Sequence, residues 1–410
     1  MYNPKKKIVF VGLSGGVDSA VSAALLKKQG YEVVGVFIKT WHPDFLACNE
    51  EEERIDAMRV AAFLDIPFLT FDFEDVYKKE VADYMIREYR AGRTPNPDVM
   101  CNKEVKFGAF LKKALSMGAD FVATGHYAKV EYFQRKNQKN SSAFLHPAGG
   151  TFRLKNSSDF FSLKKGVDPS KDQSYFLWTL GQKQLSKILF PVGHLKKVEL
   201  RGLAKKFHLP VAEKKDSQGI CFLGRVDLKE FLKHYIKLKK GKVVNEKGEV
   251  IGYHDGVVFY TLGERHGFTI TQKSPKDGPY YIIGKNLKKN ILTVSQEKSA
   301  VNFSSGRFRP QGGEKPINLQ HSSLFLEKIN WISEVPERDK NYTAQIRYHG
   351  EFLPCKIKIK SKTQIEIIFS KSVIVASGQS CVVYDGNVCM GGGVVVDGVP
   401  YINGVRTISK

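Results

Sequence analysis

The sequence predicts an α/β chain with three parts: a parallel-sheet nucleotide-binding domain, a small α+β central domain and a C-terminal antiparallel β-barrel. Three observations lead there. Up to about residue 125, apolar runs of strand length alternate with longer segments of helical period, the alternation that builds a parallel sheet wrapped by helices. From about residue 223 one helical stretch gives way to short strands separated by turn signals. The last hundred residues are almost wholly strand-like; Cys355-Lys356-Ile357-Lys358-Ile359-Lys360 alternates strictly, so Ile357 and Ile359 should face a core and the lysines water.

Taken in order, the first strand is Ile8-Val9-Phe10-Val11, apolar throughout as a strand buried on both faces must be. A helix over 20–28 follows, then a strand at 32–38, a helix at 51–64, a strand at 68–73, helices at 75–91 and 101–117, and a strand at 120–124. In such a sheet ligands sit at the carboxyl ends of the strands, where Gly12-Leu13-Ser14, Lys39-Thr40-Trp41 and Gly125-His126-Tyr127 fall. Residues 131–165 read as a polar, basic and partly mobile surface insertion. Helical period returns at 174–189 and 198–207, with Trp41 and Trp178 assigned to packing. A helix at 228–236 opens the central part, and Asn245-Glu246-Lys247-Gly248-Glu249 marks a turn within it. Strands at 364–369 and 380–384, with Asp385-Gly386 as a hairpin turn, close a small barrel. The expected domains are 1–222, 223–300 and 301–410.

Of 410 residues, 64 are lysine or arginine and 42 are acidic, a formal charge of +22. An excess of that size suits a polyanionic partner, because each neutralised phosphate releases counterions; a merely solvated basic surface is the alternative. No run approaches 18 apolar residues and the start of the chain lacks an apolar signal-peptide core, so the expectation is a cytoplasmic protein with no membrane partner. Six cysteines, at 48, 101, 221, 355, 381 and 389, form no Cys-x-x-Cys pair, which argues against a zinc ribbon or a disulfide scaffold.

Two segments carry chemistry. The turn Gly12-Leu13-Ser14-Gly15-Gly16-Val17-Asp18-Ser19 stands between a strand and a helix. Gly15 and Gly16 let backbone approach an anion, and Asp18 and Ser19 are placed to cap the helix whose N–H groups face the phosphates. No lysine follows the glycines, so this is no Walker A loop, and it suits a pyrophosphate that leaves better than a γ-phosphate that is transferred. Farther on, Arg93-Thr94-Pro95-Asn96-Pro97-Asp98 is stiffened by two prolines and sets Cys101 at the mouth of a helix, with Lys103 and Lys106 close by. Helix dipole and cations should lower its pKa. Cys221, in Asp216-Ser217-Gln218-Gly219-Ile220-Cys221-Phe222-Leu223, has a basic flank that favours thiolate and apolar neighbours that suit burial.

These blocks, with Lys171-Asp172-Gln173-Ser174-Tyr175-Phe176-Leu177 and Gly391-Gly392-Gly393, follow the order seen in the bacterial tRNA-specific 2-thiouridylases, a branch of the PP-loop ATP pyrophosphatases. The chain resembles that family over nearly its whole length. Departures are confined to the 131–165 insertion, residues near 307–320 and a longer C-terminal tail. The resemblance implies an adenine nucleotide α-hydrolase type of N-terminal domain and ATP-dependent 2-thiolation of the wobble uridine in the tRNAs for lysine, glutamate and glutamine. It implies ATP contacts at Gly12, Leu13, Ser14, Gly15, Gly16, Val17, Asp18, Ser19, Ile38 and Gly125, with Mg²⁺ accompanying the nucleotide and no resident metal site. Asn96, Pro97 and Asp98 resemble the seat of the target base. His126, Lys171, Asp172, Gln173, Arg347, Tyr348 and Gln379 resemble tRNA contacts, Cys221 the persulfide carrier and Cys101 its catalytic partner. A sulfur donor, either a cysteine desulfurase or a relay protein, is the implied second partner. A PP-loop pyrophosphatase acting on a small molecule is the alternative, and it leaves the charge and the two thiols unexplained.

Overall fold

The computed structural model describes residues 6–46, 49–133, 160–216, 221, 227–272, 277–296 and 321–396. The N-terminal strands are β1 (Ile8–Gly12), β2 (Glu32–Lys39), β3 (Phe68–Asp72), β4 (Phe121–Ala123) and, after a hairpin of β5 (Ala128–Phe133) and β6 (Phe160–Lys165), β7 (Ile188–Leu189). β3-β2-β1-β4-β7 form one sheet in that order, every pair parallel. Successive side chains point to opposite faces, so one strand feeds two cores. Phe10 and Val122 pack with Phe107 and Phe110 on one side; Val9, Val11 and Ala123 pack with Val21 and Leu200 on the other.

The helices are α1 (Val17–Lys28), α2 (Glu50–Phe63), α3 (residues 74–90, with a π segment Lys78–Ala82), α4 (residues 97–116, with a π segment Cys101–Phe110) and α5 (Lys197–Lys206). Two expectations need correction here. The backbone of Gly16 precedes α1, and neither Asp18 nor Ser19 caps it. The stretch 174–189 holds only a 3₁₀ turn, Ser174–Leu177, and a single turn, Gln182–Leu185, before Ile188 and Leu189 pair with β4.

Beyond α6 (Leu228–Lys233) lie β8 (Gly241–Val244), β9 (Val250–His254), β10 (Thr269–Ile270), β11 (Tyr281–Asn286) and β12 (Ile291–Ser295), ordered β10-β9-β8-β12-β11. Their core takes in Met85, Ile86 and Tyr89 of α3, which ties this small domain to the first. The barrel follows as β13 (His321–Trp331), β14 (Tyr342–Gln345), β15 (Leu353–Ile359), β16 (Ile365–Val373), β17 (Ser380–Asp385) and β18 (Val388–Val396). Its six antiparallel strands run β13-β16-β15-β14-β17-β18 and close through β13–β18 pairing. Ile357 is buried as expected, but Ile359, at the strand's end where the core has run out, is 53% exposed.

The insertion is the larger correction. Val388 pairs with Lys164 and Cys389 with Leu163, so β6 and β5 extend the barrel sheet to eight strands. The expected loop therefore begins and ends as strand, because Phe161 and Leu163 alternate into a core that its polar middle conceals from a sequence reading. Residues 134–159 of it, Cys48, residues 307–320 and the segment beyond 396 lie outside the described residues.

Candidate active site

At the carboxyl end of β1 the chain turns out of the sheet, and the Leu13 amide donates to the Val36 carbonyl at 2.8 Å. Gly15 has φ +69°, and a Cβ on it would lie 2.5 Å from the Glu53 carbonyl oxygen. A Cβ on Gly125 would come within 2.8 Å of the Ser19 amide nitrogen. Both glycines are thus needed for the loop to lie against α2 and against the end of β4. The Ser19 hydroxyl turns inward, accepting from the Ser14 amide at 3.2 Å and donating to the Gly16 carbonyl at 3.0 Å. The first turn of α1, uncapped by any side chain, presents N–H groups to whatever occupies the cradle.

Cations rim this loop. Lys197 Nζ reaches Asp18 Oδ1 at 2.7 Å and Asp216 Oδ1 at 2.8 Å, while Lys171 Nζ and Arg201 Nη2 reach the Asp216 carboxylate at 2.8 and 2.7 Å. Burial opposes the charge on Asp216, yet the Lys171 and Lys197 ammonium groups hold its carboxyl well below the usual range. The Tyr127 hydroxyl donates to Asp18 at 2.8 Å. A glycine-lined cradle, free helix N–H groups and three cations suit a polyphosphate. Ile38 is buried in the core beneath this region, in the same apolar cluster as Cys101.

The thiols come from two distant stretches. The Asn96 side chain accepts from the Val99 amide at 3.1 Å and starts α4, with Pro97 at its first position. Cys101 is therefore not at the helix mouth but one turn inside, fully buried, and burial pushes its thiol up well above the ordinary value. That reverses the depressed pKa expected for it. Its Sγ donates to Cys221 Sγ across 3.5 Å. Cys221 is the activated member: the hydrogen bond from Cys101 and the nearby Lys106 ammonium, against burial, bring its thiol down to about 7. The Cys221 amide donates to Asp98 Oδ1 at 2.8 Å and its carbonyl accepts from the Tyr77 hydroxyl at 2.8 Å. Burial raises the Asp98 carboxyl. His126, buried against Phe107 and Phe190 with Nδ1 2.8 Å from the Thr124 hydroxyl, is driven well below its ordinary pKa by burial and by Lys106, and so is neutral.

The remaining expected contacts divide. Lys171 and Tyr348 stand near the two centres; the Tyr348 ring packs on Phe176 with centroids 4.3 Å apart. Asp172 is spent internally, accepting from the Gly166 amide at 2.9 Å and from the Ser174 hydroxyl at 2.9 Å, and Gln173 accepts from the Tyr127 amide at 3.0 Å. Arg347 lies in the turn after β14 and donates to the Leu262 carbonyl of the central domain at 3.0 Å. Gln379 accepts from the Ala376 amide at 3.2 Å. Sequence reasoning missed Tyr77, Lys197 and Arg201; the last two stand four apart on one face of α5, which was the available signal. Among the described residues no group of three or more His, Cys, Asp or Glu side chains is arranged to hold a metal ion, and no helix is long and apolar enough to cross a membrane.

Three family descriptions match the chain: tRNA methyl transferase HUP domain over residues 7–225, tRNA methyl transferase PRC-barrel domain over 229–296 and aminomethyltransferase beta-barrel domain over 321–395. The tRNA-specific 2-thiouridylase MnmA of Geobacillus thermodenitrificans is 41% identical over 396 residues, covering 96% of this chain and 95% of its own. That of Halalkalibacterium halodurans is 42% identical over 397 residues, with the same coverage of both chains. Among solved structures, a 4-thiouridine synthetase–RNA complex with bound ATP covers 56% of this chain and 50% of its own, at 17% identity and a TM-score of 0.31, a likeness that adds nothing to the topology above.

Proposed function

This chain belongs to the tRNA-specific 2-thiouridylase family, and from that premise we propose how its residues divide the work of thiolating the wobble uridine of tRNA at the expense of ATP. The tRNAs for lysine, glutamate and glutamine are the proposed substrates, and the cytoplasm the proposed compartment. ATP supplies the adenylyl group that turns the uridine C2 oxygen into a leaving group, with release of pyrophosphate. Gly12 to Ser19, Gly125 and the α1 N-terminus would hold the nucleotide phosphates, with Mg²⁺ accompanying them, and Lys197 and Arg201 would balance their charge. Ile38 sits too deep to do more than floor the adenosine site.

Cys221 carries the proposed persulfide, loaded by a cysteine desulfurase or a relay protein. Its terminal sulfur bonds to C2, and the C2 oxygen departs with AMP. The Cys101 sulfur then attacks the Cys221 sulfur and displaces the new thiocarbonyl sulfur from it, leaving C2=S and a Cys101–Cys221 disulfide that a thiol reductant resets. Asn96, Pro97 and Asp98 would seat the base, with Tyr348 and Lys171 along the tRNA path and His126, buried against Phe107 and Phe190, behind it. Asp172, Gln173, Arg347 and Gln379 would contribute chiefly by shaping that path, since their side chains are engaged internally.

The observation carrying this reading is the 3.5 Å approach of two thiols separated by 120 positions. It favours sulfur transfer over the methyl transfer named in the matching family descriptions, which gives neither thiol nor a pyrophosphate loop a task. Incubation with ATP, a cysteine desulfurase with cysteine as the source of persulfide sulfur, and unmodified tRNA tests it. Thiolated uridine with stoichiometric AMP is expected; AMP release without RNA dependence would instead favour a small-molecule substrate.

A further inference from the structure

We propose that Lys106 is the cation that keeps Cys221 ready as a sulfur nucleophile, brought against both thiols by the π turn of α4. This goes beyond the two-cysteine reading and rests on it.

The geometry begins with the helix. In an α-helix, residues five apart differ by roughly 140° around the axis, so a lysine at 106 would point away from Cys101. Over Cys101–Phe110 the turns are of the wider π kind, which close between residues five apart and bring position 106 under position 101. Gly108 is part of this: a Cβ there would meet the Lys103 carbonyl oxygen at 2.8 Å. π turns are frequent at functional sites, and this one is long enough to carry both Cys101 and Lys106.

The surroundings explain what the re-aimed ammonium does. Its neighbours are Cys221, to which it donates a hydrogen bond, Cys101, Asp98 and His126. Tyr77 completes the set around Cys221 through the carbonyl. His126 is neutral, Tyr77 is held protonated by burial, and Cys101 is held as a thiol. Among the described residues, the Cys221 sulfur and the Asp98 carboxyl then face the buried cation as groups able to balance it. Burial opposes the ammonium charge, yet these neighbours raise its pKa, so Lys106 stays charged through the physiological range. A thiolate or persulfide anion on Cys221 then forms a buried charge pair, and the proton it gives up goes to solvent.

The test is the rate of iodoacetamide alkylation of Cys221 as a function of pH in the full-length protein, without tRNA, ATP or a sulfur source, followed peptide by peptide so that Cys101 is counted separately. In the unaltered protein the midpoint is expected near pH 7. Lys106→Met should raise it by at least about one unit, slowing alkylation at pH 7 about fivefold or more, and Lys106→Arg should recover most of that loss. A wild-type midpoint near that of free cysteine, or an unmoved profile in a folded Lys106→Met protein, overturns the proposal; the wild-type arm decides even if the methionine variant does not fold. Because the assay involves no sulfur transfer, a Lys106-dependent profile alongside thiolation that survives Cys221→Ser would sink the sulfur-carrier role while leaving the electrostatic pairing intact.

Discussion

The Asp98 carboxylate accepts a 2.8 Å hydrogen bond from the Cys221 main-chain amide, joining positions 123 apart in the chain. Asp98 also lies in the first turn of α4, where a carboxylate is favoured by the helix dipole. One residue in the first turn of the helix that carries Cys101 therefore also holds Cys221 in its approach to that thiol. Asp98→Ala leaves a buried amide unsatisfied, a cost of about 1–3 kcal/mol, and should lower thiolation kcat at least about tenfold. Asp98→Asn retains an acceptor oxygen and should recover part of it; equal loss in both variants would show that the carboxylate charge, not the hydrogen bond, is what matters.

Cys221→Ser should bind ATP and tRNA as the unaltered protein does and yield no thiolated uridine, measured by nucleoside mass spectrometry. Retained thiolation would remove Cys221 from the sulfur path.

Loading of sulfur on Cys221 should follow pH with a single rise. Its thiol is lowered to about 7, so the reactive anion is scarce below that value and complete above it. Cys101 is shifted in the opposite direction and adds no second rise before strongly alkaline pH. Initial rates of persulfide formation between pH 5.5 and 9 check this; a midpoint near 8.5, the ordinary cysteine value, would contradict it.

Gly125→Ala pushes a methyl group onto the Ser19 amide and Asp18, the part of the loop that closes on the end of β4. ATP affinity should fall about tenfold or more, corresponding to roughly 1.4 kcal/mol of strain or displaced backbone, while tRNA affinity stays within about twofold. Isothermal titration with each ligand separates the two.

Removing the barrel at residue 296 should do more than weaken tRNA binding. β6 loses its partner β18, and the Asn330 amide that donates to the Trp178 and Leu180 carbonyls goes with the barrel, as does the Ser380 carbonyl that receives the Tyr175 hydroxyl. The truncated chain should unfold at lower denaturant concentration than the intact one. Tyr348→Ala is the cleaner probe: loss of one aromatic platform costs about 1–3 kcal/mol if a base stacks there, read as weaker tRNA binding with unchanged ATP affinity.

Much of this protein was legible in its residues taken in order. Local pattern determined the parallel strands, the helices between them, the glycine turn and the strand-rich C-terminus, because period and turn chemistry are properties of neighbouring residues. What failed was whatever depends on contacts across the chain. Cys101 reads as a helix-mouth thiol with a lowered pKa until Asn96 is seen to start the helix a turn earlier and burial to reverse the shift. Phe160 to Lys165 read as the end of a loop because what places them in the barrel sheet, the pairing of Leu163 and Lys164 with β18, joins positions more than two hundred residues apart. Asp172, Gln173 and Arg347 look like free polar groups in the sequence, whereas tertiary hydrogen bonds engage all three. Which of two cysteines is the more acidic was decided by the same physics: charge and desolvation act through space, and only the folded chain sets those distances.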